Sequence, residues 1–394
     1  MKLKSVILDA KRSPIGAYLG ALSALSAVEI ASSVIKTMLE NNKINPSVIN
    51  EVILGNVLSA GQGQAPARQA ALKGGCVSSV ESLTINKMCG SGLKSIMLAD
   101  QAIRCEDAEI IIAGGMESMS NAPHIIKNLR RGKKFGHDEI IDSMIYDGLW
   151  DAYTNQHMGS CAELLVSERK YTRHDLDQFA IESYSKAQDA MENNIFDTEI
   201  IPIKIDSKNG DTSYCDIDEE PGNARFEKIP NLKPVFKKDG TITAANASKL
   251  NDGSSILLIA SEDKAKELGI RPIAKILSHA SVAHEPEWFT TAPGKAISKV
   301  LAKAKLNIND INLWEINEAF APVAMAAIDD FKIDYDRVNI YGGAIALGHP
   351  IGASGARILT TLINGMKRND VDRGLATLCI GGGEASAIII ERYD

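Results

Sequence analysis

Six cysteines and seven histidines are scattered through this 394-residue chain, and few of them stand where a side chain could do chemistry. Cys89 does: it lies in Asn86-Lys-Met-Cys-Gly-Ser-Gly92, with Leu93, Ile96 and Met97 following at helical spacing. The pattern reads as a strand, a sharp glycine-assisted turn and a helix. A cysteine at that turn faces the free N–H groups and positive end of the helix, which favours thiolate and predicts an acylatable nucleophile. The plain alternative is a small side chain filling a tight turn. His349 sits among five glycines in Tyr341-Gly-Gly-Ala-Ile-Ala-Leu-Gly-His-Pro-Ile-Gly-Ala-Ser-Gly355, ahead of a helix through Arg357, Ile358 and Leu359. Glycine-rich loops before helices also cradle phosphate, but the spacing is neither Gly-x-Gly-x-x-Gly nor a loop ending in Gly-Lys-Ser/Thr. A general base explains the histidine better, since its free pKa suits proton transfer near neutrality; a structural histidine capping the loop is the alternative.

Two further motifs end strands. Leu378-Cys-Ile-Gly-Gly-Gly-Glu384 places Cys379 before three glycines whose amides no side chain obstructs, which fits an oxyanion hole for a thioester carbonyl or a plain hairpin. Trp314-Glu-Ile-Asn-Glu-Ala-Phe320 places Asn317 where a strand passes into a helix, either as an N-cap or as an amide fixing a water or a carbonyl.

The elements that must position these residues form two regions with one grammar, β-branched runs alternating with amphipathic helices. In the first, 5–9, 51–55, 82–86 and 109–114 read as strands and 26–41, 65–73 and 90–105 as helices. In the last, 273–277, 313–317, 338–341 and 373–379 read as strands, and a final hairpin adds 385–390. That hairpin parallels 82–89 and 109–115 in style, which predicts a duplicated domain. Between the regions, residues 120–248 carry more charge and more aromatic residues, with helices near 159–170 and 175–192 and a charged, proline-bearing stretch from Asp216 to Lys238. The predicted division is therefore 1–119 (completed by 249–272), an inserted substrate-handling segment 120–248, and 273–394. A surface elaboration is the alternative for the insert.

Composition narrows the function. With 45% hydrophobic residues the chain can bury large cores. A formal charge of -7 without long single-sign runs argues against a nucleic-acid surface or a membrane-binding basic patch and leaves a small molecule as partner. The segment from Met1 to Ala10 is basic and then briefly apolar, a strand and not a signal peptide, and no stretch approaches the ~20 apolar residues of a membrane span. The C-terminal Glu-Arg-Tyr-Asp carries no address or lipidation signal, so the cytoplasm is the expected location. No Cys-x-x-Cys pair occurs, so the cysteines are read as thiols and no metal site is expected.

Taken together, the four motifs, in this order and spacing, resemble the signature set of the thiolase family, and the similarity runs through Gly114-Gly-Met-Glu-Ser-Met-Ser120 and Asn246-Ala-Ser-Lys-Leu-Asn-Asp-Gly253. The resemblance implies an α/β fold, an αβαβα sandwich of two similar domains with mixed sheets plus an inserted loop domain, assembled as a homodimer or homotetramer. It implies reversible condensation of two acetyl-CoA to acetoacetyl-CoA and CoA through an acetyl-enzyme, with these thioesters as substrates and no separate cofactor. On this chain the nucleophile falls on Cys89, the base on His349, the second cysteine on Cys379, the water-holding amide on Asn317, and an oxyanion hole on the amides of Cys89 and Gly381. His157-Met-Gly-Ser-Cys-Ala-Glu163 is similar to the short-chain branch, in which Met158 narrows the acyl pocket. Leu149, His157, Ser248 and Phe320 align with the family's CoA channel, and Arg225 with a contact to the adenine or phosphate end, in a segment that departs from the branch's pattern. Glu384 stands where the family more usually has a small or apolar residue. A broader-chain thiolase, a non-catalytic acyl-CoA-binding relative and a related condensing enzyme are the competing readings.

Overall fold

The computed structural model describes residues 5–206, 209 and 211–393; the first four residues of the N-terminal strand reading lie outside them. Nine strands form the frame: β1 (Ser5–Arg12), β2 (Glu51–Gly55), β3 (Glu81–Ile85), β4 (Ile110–Ser118), β5 (Asn251–Ser261), β6 (Ala274–Ala283), β7 (Leu313–Ile316), β8 (Arg373–Ile380) and β9 (Glu384–Arg392). They run in the order β7-β8-β9-β6-β1-β5-β4-β2-β3, and only two residue pairs, Val6–Lys275 and Ile7–Ala274, join β1 to β6.

On either side of that short ladder the pairing repeats. In the first half β3, β2 and β4 are parallel, and β4–β5 and β5–β1 antiparallel. In the second, β7 and β8 are parallel, and β8–β9 and β9–β6 antiparallel. The counterpart of β3 is one parallel bridge from Val338 to Trp314. The strand expected at 338–341 is thus a correction: the chain turns through Asn339, at φ 44°, whose side chain takes over backbone pairing with Ile316. The repeat also refines the expected parallel for the final hairpin, which matches β4 and β5, not 82–89. The second half joins these two strands by Gly381–Gly383, whereas the first interposes residues 119–250.

Helices complete five layers. The ones that matter here are α1 (Ala27–Asn41), α2 (Pro66–Lys73), α3 (Ser91–Arg104), α4 (Met158–Arg169), α5 (Arg173–Glu192), α6 (Ala292–Ala304), α7 (Ala321–Phe331) and α8 (Ser354–Arg368). α3 and α8 lie between the two half-sheets, and their Leu93, Ile96, Ile358 and Leu362 share one core with Ile111 and Leu257 of the first half and Leu378 and Ile388 of the second. α1 and α2 cover the outer face of the first half, and α6 and α7 that of the second. Two glycines set the crossing of α3 and α8. A Cβ on Gly355 would stand 2.4 Å from the Leu93 nitrogen, and one on Gly92 2.9 Å from the Ala356 nitrogen. Only residues without side chains allow this approach, and it brings the N-terminal ends of both central helices together.

The inserted residues are tied to the frame by a buried charge cluster. Arg12 makes a bidentate pair with Asp218 at 2.7 and 2.8 Å and bonds Glu199 at 2.6 Å, all three side chains being buried. Among the described residues no helix is long and apolar enough to cross a membrane, and no group of three or more His, Cys, Asp or Glu could hold a metal ion.

Candidate active site

Cys89 precedes α3 and His349 precedes α8, so the helix crossing that requires Gly92 and Gly355 also carries these two residues to one place. The Cys89 loop is held from within: Ser91 Oγ accepts from the Lys87 amide at 2.8 Å and donates to the Met88 carbonyl at 2.6 Å, while Asn86 Oδ1 accepts from the Met88 amide at 3.0 Å. Met88 takes the left-handed conformation, φ 47°, at ~1–3 kcal/mol, a strain that tightly determined loops carry. Across the halves, Lys87 pairs with Glu384 at the start of β9, so the residue that departs from the family pattern fastens the cysteine loop beside the three-glycine turn. The amide of Gly381 in that turn faces the Cys89 sulfur closely enough to weaken its hold on its proton.

His349 is held with one nitrogen free. Its amide donates to Asn251 Oδ1 at 2.8 Å, and Nδ1 lies 2.6 Å from Ser354 Oγ. Ser354 donates its single proton to the Pro350 carbonyl at 2.9 Å, so Oγ is left to accept from Nδ1–H. This fixes the tautomer in which Nε2 carries the lone pair, and Nε2 is buried without a protein partner. Asn317 is fully buried, and both its amide oxygen and nitrogen lack partners. The N-cap of α7 is Phe320, so capping is not what Asn317 does; a buried amide with both atoms unmatched calls for a water or a ligand. Cys379 is the last residue but one of strand β8, 1% exposed.

Electrostatics correct one expectation. Burial pushes the Cys89 thiol up to about 11; the amides of Gly381 and Cys89 pull it back only in part, and Glu117 adds to the rise. The helix end therefore does not leave a resting thiolate. Burial, with Arg357 nearby, drives His349 down to about 3, so the imidazole rests neutral. Cys379 lies well above an ordinary thiol, through burial and the neighbouring Cys89. A cysteine and a histidine that both rest uncharged transfer their proton as bonds to substrate form, when an oxyanion needs the charge.

Two cavities flank this centre. One of about 620 Å³ is lined by Met88, Met158, Gly381 and Tyr153. The other, about 360 Å³ and mostly apolar, is lined by Leu149, His157, Ser248, Phe320 and His349. Arg225 lines neither and is exposed. Three positioning residues went unread in the sequence although motifs quoted above contain them: Ser354, Asn251 and Glu117. The buried Glu117 carboxylate accepts from Asn56 Nδ2 and the amides of Val57, Leu58 and Gly352 at 2.8–3.1 Å, tying the His349 loop to the first half. By strand register it is the counterpart of Cys379, as Asn56 is of Asn317.

A five-layer α/β duplication with a cysteine and a histidine at its crossed central helices defines a class of acyl-transferring enzymes, and comparison supplies the family. Residues 5–263 match the model of the thiolase N-terminal domain and residues 270–392 that of the thiolase C-terminal domain. The chain belongs to the thiolase family and is an acyltransferase. It is 48% identical to an acetyl-CoA acetyltransferase of Allochromatium vinosum over 388 residues, 98% of either chain. Among solved structures it is similar to the Bacillus anthracis acetyl-CoA acetyltransferase, at TM-score 0.97 and 39% identity over 99% of either chain. It is also similar to the Acat5 thiolase of Ascaris suum in complex with coenzyme A, at TM-score 0.93 and 44% identity, covering 99% of this chain and 100% of that one.

Proposed function

We propose that the chain is an acetyl-CoA C-acetyltransferase, reversibly joining two acetyl-CoA into acetoacetyl-CoA and free CoA. The observation that carries this reading is the buried Nε2 of His349, held by Ser354 as an unprotonated nitrogen at the helix crossing that also carries Cys89. In the first half-reaction His349 takes the Cys89 proton as the sulfur attacks the thioester carbonyl, and the amides of Cys89 and Gly381 stabilise the oxyanion. CoA leaves as the thiol with that proton, and acetyl-Cys89 remains. In the second, His349, neutral again, takes the Cys379 proton and the Cys379 thiolate removes the α-proton of bound acetyl-CoA, while the imidazolium and a water on Asn317 stabilise the enolate oxygen. The carbanion attacks acetyl-Cys89, forms the carbon–carbon bond and expels the Cys89 thiolate, which takes the proton held by His349, while the α-proton stays on Cys379. The raised affinity of Cys379 for its proton suits this work, since a more basic thiolate is a better match for a weak carbon acid.

Leu149, His157, Ser248 and Phe320 would line the channel of the CoA arm, whose thioesters are the only small molecules this scheme needs. Met158 would limit the acyl group. A broader-chain 3-ketoacyl-CoA thiolase is the second reading, favoured by the 620 Å³ cavity in whose wall Met158 stands. Assembly as a homodimer or homotetramer is supported by the free edge of β3, with Leu83 42% exposed, and by Phe135 at 97% exposure in the insert. The test is thiolysis of acetoacetyl-CoA against a longer 3-ketoacyl-CoA, with Cys89→Ala as control. Cys89-dependent activity confined to the four-carbon substrate is expected; equal activity on both selects the second reading, and none on either refutes both.

A further inference from the structure

Part of the wall of the apolar cavity is built by Thr243, Ala244 and residues 247–250, and one of them is a lysine. The Lys249 ammonium turns back on its own segment: Nζ donates to the Ala244 carbonyl and, at 3.4 Å, to the Ala247 carbonyl, and stands 5.4 Å from the centre of the Tyr184 ring. No carboxylate of the described residues is within ion-pair distance of it; Glu220 is the acid that acts on it, with Glu219 acting on Glu220 in turn. The principal ligands of this cation are therefore two backbone carbonyls and an aromatic face, a cage in which converging carbonyl dipoles would oppose one another without a positive charge. The same segment carries Ser248, whose amide donates to the Ala319 carbonyl at 3.0 Å, and Ala247, bridged to Phe320. The cage therefore stands within the cavity wall itself.

We propose that Lys249 is a positioning residue, a tethered cation whose binding by the Ala244 and Ala247 carbonyls holds the wall at Ser248 in the shape that receives the CoA arm of the substrate. The inference rests on the acetyl-CoA reading and adds a residue to it. Because the ammonium acts on the wall and not on the reacting atoms, its loss weakens substrate binding and leaves the chemical steps alone. The cage has its own alkaline limit as well: burial lowers the lysine to about 8, so the ammonium is present below that pH and lost above it. Tyr184 and the two glutamates are the other titratable groups facing it; Tyr184 holds its proton well beyond that range, since burial raises it.

The test is steady-state thiolysis with the full-length enzyme and Lys249→Ala. The expected result is a KM for the acyl-CoA raised about tenfold, the loss of a charge-assisted hydrogen bond, with kcat near the wild-type value. Ammonium chloride should bring the variant's KM back toward wild type, while tetramethylammonium chloride at equal ionic strength, too large for the cage, should not. Lys249→Met, which fills the space, should show the raised KM without rescue, and it serves if the alanine variant folds poorly. Wild-type KM should rise above pH 8 and that of Lys249→Met should not. An unchanged KM, a raised KM in Lys249→Ala that ammonium does not lower, or a fall in kcat as large as the rise in KM overturns the proposal while wild-type turnover stands. Absence of turnover in the wild type itself overturns the function reading instead.

Discussion

Ser354→Ala is the sharpest probe of how the base is prepared. The substitution removes the only acceptor of the His349 Nδ1–H among the described residues, a contact of 2.6 Å in a buried setting, and leaves the ring free to place its proton on Nε2, where it cannot accept from Cys89. Leaving a buried donor unmatched costs ~1–3 kcal/mol, and each ~1.4 kcal/mol is tenfold in rate. The expected fall in kcat/KM is therefore about 5- to 150-fold, at the upper end if the imidazolium of the transition state feels the loss most. Both half-reactions use His349, so acetylation of the enzyme, followed by rapid quench with labelled acetyl-CoA, and condensation should fall together. A purely structural role would lower folded protein in a thermal melt without changing the rate per folded molecule. Wild-type kcat/KM per folded molecule, or loss in condensation alone, would refute the assignment of the tautomer.

Cys379→Ser should leave labelled acetyl on Cys89 but cripple acetoacetyl-CoA formation, read by comparing the two half-reactions; equal loss of both would deny the division between the cysteines. Met158→Ala should extend thiolysis to longer 3-ketoacyl-CoA, by opening the acyl side toward the larger cavity; an unchanged chain-length profile removes Met158 from the selection. Alkylation of Cys89 by iodoacetamide should rise with pH toward its raised pKa of about 11 with no plateau near neutrality, because the thiolate is the reacting form; a plateau below pH 8 would show a resting thiolate. Arg12→Met should destabilise by ~3–5 kcal/mol, since it strands the buried carboxylates of Asp218 and Glu199; a denaturant midpoint near wild type would mean that water reaches them.

Local pattern carried the reading furthest where periodicity and glycine coincide. The strand at 51–55 was legible to the residue, and α1 and α3 nearly so, because their apolar spacing is regular and their ends carry Ser26, Gly90 and similar signals. β5 escaped: its Asn-Asp-Gly-Ser-Ser start looks like loop, and all eleven of its residues are buried because it pairs on both sides. The chemistry-bearing residues were legible as motifs, yet their charge states were not. A helix end beside Cys89 predicts thiolate, and only the completed fold shows that burial outweighs it. Asn251 and Glu117 act through partners 98 and 235 positions away, which no local window contains, and Ser354, though only five residues from His349, meets its ring only once the loop has folded.

The two versions of one hairpin differ in how the chain must find them during synthesis. β8 and β9 are separated by residues 381–383 and can zip as soon as both have left the ribosome. β4 must wait through residues 119–250 for β5. Closing the longer connection while it is still flexible costs about 3 kcal/mol more by the logarithmic law, and until then the Ile-Ile-Ile run at the start of β4 presents an unpaired apolar edge. The nascent N-terminal half is thus the stage at which this chain is most exposed to aggregation, and folding of the 119–250 segment before β5 emerges would shorten that wait for the half that carries Cys89.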